Sequence, residues 1–169
     1  WAATATPADL PMYFVNSQDF FYRPLDKVVV YFLYMLFSFN PEGYHLFMLL
    51  LHFLTAMAVY FISLKLSKSK LVGFFTATLF ALLPAHTENI FWFSTLSMAL
   101  ASMFISYAML LYMYFREKKS IIAYISSVVL GALALASYEV AVIIPLIFVA
   151  MDIFIFKPKR SLKSMMVYL

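Results

Sequence analysis

Residues 44–64 read YHLFMLLLHFLTAMAVYFISL, twenty-one positions without one Lys, Arg, Asp or Glu. A helix needs about 20 apolar residues to cross the hydrocarbon core of a bilayer, with a usable range of about 17–25. This run qualifies outright, and so does 95–115. Around them lie further apolar runs at about 25–39, 71–83, 121–137 and 140–156. The last two reach spanning length at its short end. The run at 71–83 is expected to start near Lys70 and to bend or end at Pro84, because proline removes a backbone donor and kinks or stops a helix. Over the whole chain 65% of residues are hydrophobic, 20% aromatic and only 12% charged, with mean hydropathy +0.91. Soluble domains carry about 25% charged residues. The expectation is an all-α, polytopic transmembrane helix bundle of about five spanning helices plus one juxtamembrane helix.

The basic residues set an orientation. Lys65, Lys68 and Lys70 fall in one connection, Arg116, Lys118 and Lys119 in another, and Lys157, Lys159, Arg160 and Lys163 follow the last apolar run. The alternate connections at 40–43, 84–94 and 138–139 hold no Lys or Arg. Basic loops stay in the cytoplasm, so the second set is expected outside. Net charge +4 is thereby accounted for by loops, and nucleic acid is not an expected partner. Zero cysteines exclude disulfides and thiolate metal sites.

The run 25–39 would rise only about 22 Å as a helix, against a core of about 30 Å. It is therefore expected as a juxtamembrane helix in or against the outer leaflet, with residues 1–24 an extracytoplasmic loop remnant and 40–169 the transmembrane bundle; the alternative is an ordinary short spanning helix, which would put 1–24 in the cytoplasm. The chain starts at Trp1 and ends on an apolar segment, Ser164 to Leu169, so it is expected to be an internal piece of a longer protein.

This topology gathers Arg23, Asp26, His45, His86, Glu88, Trp92 and Glu139 on the outer side. Ionisable groups at a bilayer are expensive and mark function. Arg23, just before Pro24, suits bidentate grip of a phosphate, or else an interfacial anchor. His45 and His52 are seven residues apart and share a helix face. His52 is expected to hydrogen-bond a neighbouring helix, and His45 to reach the same outer cavity as His86. In Leu83-Pro84-Ala85-His86-Thr87-Glu88-Asn89-Ile90-Phe91-Trp92, Glu88 is a candidate proton carrier and His86 a candidate phosphate contact or orienting group. The alternative is a polar helix cap. His86 and Glu88 are both metal-ligand types, but the spacing supplies no third ligand, so neither metal nor cofactor is expected. Glu139 is either a substrate contact or a solvated turn residue, and Asp152 a structural group. Arg23, His86 and Glu88 are expected to converge on one outer cavity.

The words Tyr22-Arg23-Pro24-Leu25, Phe39-Asn40-Pro41-Glu42-Gly43-Tyr44-His45-Leu46, Leu49-Leu50-Leu51-His52, Leu83 to Trp92 and Ser137-Tyr138-Glu139 occur in an order and spacing that resembles the GT-C superfamily of polytopic glycosyltransferases. The likeness is to the protein O-mannosyltransferase branch and its bacterial relatives, over about 120 residues. It implies a transferase that takes a sugar from a polyprenyl-phosphate-linked donor at the extracytoplasmic face and passes it to a glycan, lipid or protein acceptor. It also implies an integral protein of a bacterial or archaeal cell membrane rather than the endoplasmic reticulum. Arg23 would bind the carrier phosphate, and His45, His86, Glu88 and Glu139 would line the substrate cavity. The catalytic carboxylate of such enzymes precedes the Tyr-Arg-Pro-Leu word by more than Trp1 allows, so this chain is expected to lack it. Asp9 and Asp19 lie in the right loop but too close to Arg23. The chain departs from many relatives at Phe47 or Met48, where Asn is common, and at Tyr138, where Lys is common. The rival expectations are a non-enzymatic transporter or flippase, with polar residues continuing across the bilayer, and a structural membrane subunit.

Overall fold

The computed structural model describes residues 4–15 and 22–156. Asp19, the basic tail from Lys157 and the apolar end at 164–169 lie outside them. The described residues are all-α, with no strand among them. A 3₁₀ turn, Pro7–Asp9, leads to α1 (Met12–Val15) and α2 (Pro24–Phe37). Then come α3 (Pro41–Ser67), α4 (Lys70–Leu82), a 3₁₀ turn at Pro84–His86 and α5 (Thr87–Phe91). A second turn at Phe93–Thr95 enters α6 (Leu96–Lys118), followed by α7 (Ile121–Ser137), a 3₁₀ turn at Glu139–Ile143 and α8 (Ile144–Phe154).

Local chemistry sets most of the boundaries. Pro24 and Pro41 open α2 and α3, where a missing N–H does no harm. Asn40, Ser69 and Ser120 accept a backbone N–H as N-caps of α3, α4 and α7. Lys68 and Lys119 close α3 and α6 in the left-handed conformation, each sending its N–H back to a carbonyl of the last turn. The two short reversals at 68–69 and 119–120 make α3/α4 and α6/α7 antiparallel hairpins.

Two helices are long and apolar enough to cross a membrane, Pro41–Ser67 and Phe93–Lys118. The expectation of about five spanning helices is met by these two alone at full length. α4 has 13 residues, α7 has 17 and α8 has 11. α4 does not bend past Pro84 but stops, because the residue before a proline is pushed into extended backbone, and Leu83 sits at φ −66°, ψ 123°. The run 140–156 is split: its first turn is 3₁₀, and Pro145 sits in the first turn of α8.

Small residues let the helices approach. α3 buries Gly43, Met48, Leu51, Thr55, Ala56 and Ala58, and α6 buries Leu96, Ser97, Ala99, Leu100, Ala101 and Ala108. Met48, Leu51, Leu96, Ala99 and Leu100 form one core, backed by Val29 and Val30 of α2. Tyr112, Met113 and Met151 form another, with the Tyr112 and Phe148 rings stacked at 4.2 Å. Three buried hydroxyls, Thr55, Ser127 and Ser137, donate to the carbonyls of Leu51, Tyr124 and Leu133 in their own helices. Ion pairs tie α3 to α6 and α6 to α8 at the Ser67 end of the bundle. Lys65 of α3 pairs with Glu117 of α6, and Arg116 Nη1 of α6 lies 2.8 Å from Asp152 Oδ2 of α8.

Candidate functional site

The hairpins return every polar candidate to the Pro41 end of α3, where two pairs form. Arg23, at the N-cap of α2, reaches across to Glu139, just past α7. Its Nε donates to Glu139 Oε2 at 3.0 Å and its Nη2 to Oε1 at 2.7 Å. This is the fork-to-fork geometry that a guanidinium and a carboxylate allow. The Tyr138 ring lies beneath the guanidinium, 4.4 Å from its carbon. The pairing holds the Glu139 carboxyl below the usual carboxylate range and raises Arg23 further. Glu139 also lines an open cleft of about 600 Å³ with Phe14, Tyr22, Pro24, Leu135 and Ala136. The cleft is thus largely apolar with a charged pair at its edge.

The second pair is His52 with His86. The Pro84–His86 turn carries His86 back over α3 and α6, and its ring centroid lies 5.4 Å from that of His52. Phe80 of α4 closes the group, 5.2 Å from His52 and 4.4 Å from His86. His52 Nε2 lies 3.2 Å from Ala81 O, the hydrogen bond to a neighbouring helix expected of it. Both rings line a cavity of about 170 Å³, with Met48, Thr55, Met98 and Ser102. Burial first, and His52 second, hold His86 below the ordinary imidazole range, so it is neutral at pH 7.

Arg23, His86 and Glu88 do not converge on one cavity. Glu88 is only two residues past His86, but the chain has by then entered α5. Its carboxylate is exposed and lines a separate open groove with Pro84, Ala85, Thr87, Phe91 and Trp92. His45 is exposed near the start of α3 and is not among the side chains lining the His86 cavity; it is His52, two turns deeper, that meets His86. Asp9 is engaged locally, accepting from the Thr6 backbone N–H at 2.7 Å and its hydroxyl at 2.8 Å.

Asp26 has more site character than its place in the sequence suggested. It lies one turn into α2, beyond Arg23, with Ser97 of α6 beside it, and its Oδ1 is buried without a hydrogen-bond partner. Burial raises its pKa, against the opposing pull of Ser97 and Arg23. The sequence signal was its position in the first turn of a helix that carries only one other charge, Lys27. A larger apolar cavity of about 360 Å³ lies between α6, α7 and α8, lined by Tyr112, Tyr124, Gly131, Ile144 and Phe148 and reaching Asp152. None of the residues singled out from the sequence as substrate contacts lines it. Comparison with protein-family models, with curated proteins and with solved structures finds no match to this chain.

Proposed function

We propose that this chain is the membrane-embedded helical part of a GT-C-type glycosyltransferase, acting at the extracytoplasmic face on a polyprenyl-phosphate-linked sugar. What supports the membrane setting is the surface of the two long helices. Only 28% of the apolar window of α3 and 44% of that of α6 is buried. A core helix of a water-soluble protein would be mostly covered. Here Leu46, Leu49, Leu50 and Phe53 of α3 and Leu71, Phe74, Phe75 and Leu79 of α4 are exposed, and bilayer lipid is the solvent that suits them.

The observation that carries the enzymatic reading is the meeting of distant sequence words. Tyr22-Arg23-Pro24-Leu25 meets Ser137-Tyr138-Glu139 through the Arg23–Glu139 fork, 116 positions apart. Leu49-Leu50-Leu51-His52 meets Pro84-Ala85-His86 through the imidazole pair. Beside the guanidinium lies an apolar cleft, the pairing a phosphate on a hydrocarbon tail asks for. The phosphodiester of such a donor carries one negative charge, as Glu139 does, and presents two oxygens to the same guanidinium fork, so Glu139 positions Arg23 before the donor arrives. The five-span bundle and the cell-membrane location belong to the same proposal.

The test is sugar transfer from a polyprenyl-phosphate donor by the longest encoded form of the protein in native membranes. Arg23→Lys keeps the charge but loses the fork, so transfer falls about tenfold or more. Transfer at the parent rate by both Arg23→Lys and Arg23→Ala overturns the role assigned to Arg23.

A further inference from the structure

The cavity beneath the 83–95 segment has an unusual lining. Met48 and His52 are four residues apart on α3 and so share a face. Met98 comes from the first turn of α6, and His86 from the turn after α4. Three elements thus bring two imidazoles and two thioether-bearing side chains to one space of about 170 Å³. No carboxylate lines it. Thr55 and Ser102 do, but both hydroxyl protons go to carbonyls of their own helices, Leu51 O and Ala99 O.

We propose that this cavity binds a soft monovalent metal ion, Cu(I), through His52 and His86 with Met48 and Met98 completing the set. The ring spacing fits. With a metal–nitrogen bond of about 2.0 Å and a further 1.1 Å or so to each ring centre, two imidazoles on one ion stand about 5–6.5 Å apart. Their centroids are 5.4 Å apart and the rings are tilted by 49°, not stacked on each other. The tautomer fits as well. A carbonyl oxygen can only accept, so the contact with Ala81 O puts the His52 proton on Nε2 and the lone pair on Nδ1. A second nitrogen held by a backbone carbonyl is the outer support that ligating histidines ordinarily have.

The class of ion follows from the ligands. No group of three His, Cys, Asp or Glu side chains suited to a metal occurs among the described residues. Zn(II), Mg(II) and Ca(II) therefore lack their usual donors. Thioethers with imidazole select Cu(I). All four ligands are neutral, so the occupied cavity carries a single positive charge, which costs far less to bury than two. The proposal does not depend on glycosyl transfer.

The experiment is competition for Cu(I) between bicinchoninate and the purified chain in detergent micelles, under anaerobic reducing conditions. One ion per chain is expected to be withdrawn from the dye. His86→Gln and Met98→Leu should each weaken retention by about tenfold or more. Met35→Leu, at an exposed methionine of α2, should bind like the parent. Met98→Leu conserves volume and apolarity, so with unchanged helicity its loss of binding reports the thioether; it decides the matter alone if His86→Gln does not fold. Cu(I) left wholly with the dye, equal retention by the parent and Met98→Leu, or Zn(II) held as tightly as Cu(I) would each overturn the proposal.

Discussion

Asp26 and Glu139 are two carboxylates near the same end of the bundle, with opposite consequences for stability. Asp26 is half-buried, with its Oδ1 shut off from solvent, and burial raises its pKa above the ordinary 3.8. The folded state therefore binds its proton more readily than the unfolded chain does. Stability is highest below that ordinary value and is lost as pH rises through the folded pKa. Asp26→Asn keeps the shape and removes the buried charge, so it should raise the melting temperature at pH 7 and leave it unchanged at pH 3. Glu139 has a lowered pKa, chiefly from its hydrogen bonds to Arg23. Its contribution is present above the ordinary 4.5 and is lost as pH falls through the folded pKa. Glu139→Gln should lower the melting temperature at pH 7, with the difference shrinking in acid. Paired melts of the two variants at both pH values check both signs. The place of Arg23 at the head of α2 was legible from Pro24. Its partner was not, because no local pattern says which acid a fork will reach across 116 residues.

The joint between α2 and α3 is the most strained element-scale feature. Ser38, past the end of α2, has φ 49° and ψ −118°, a conformation L-residues avoid. Its carbonyl is held by the Tyr44 hydroxyl at 2.6 Å, which fixes the entry to α3. Ser38→Gly removes the Cβ clash and should stabilise the protein by about 1 kcal/mol. Two residues after Pro41 opens α3, the chain is pressed from the other side: Gly43 packs under the Phe37 ring so closely that a methyl group would collide with it. Gly43→Ala should destabilise by about 1–3 kcal/mol, the cost of overpacking. Thermal melts of the two single variants test the joint in opposite directions. Element starts were readable because prolines and short polar caps mark them: Pro24, Pro41, Ser69 and Ser120. The interruption after α7 was not. Residues 140–143 and 144–151 are both wholly apolar, and hydropathy does not distinguish a 3₁₀ turn from the first turn of an α-helix.

At the scale of the whole molecule, the charges divide along the helix axes. Lys65–Glu117 and Arg116–Asp152 lie at one end, and Arg23–Glu139 and His52–His86 toward the other. The sequence made the alternation legible because basic residues fill every second connection. It did not show that His86 and Glu88 part company, since a two-residue separation crosses from a 3₁₀ turn into α5 and the side chains leave on different courses. Under the membrane reading proposed above, the Arg23 end faces outward and the Lys65 end inward. The absence of cysteine makes this directly measurable. Leu10→Cys, before α1, and Lys118→Cys, at the exposed end of α6, place single thiols near opposite ends of the bundle. A membrane-impermeant maleimide applied to intact cells should label Leu10→Cys, and it should reach Lys118→Cys only after the membrane is opened. α2, about 21 Å long at 14 residues, is too short to span the core, so on this reading Leu10 and the start of α3 lie on the same side of the membrane. If Leu10→Cys were labelled only from the cytoplasm, α2 would have to cross the bilayer after all, and Arg23 and Glu139 could no longer meet on one side.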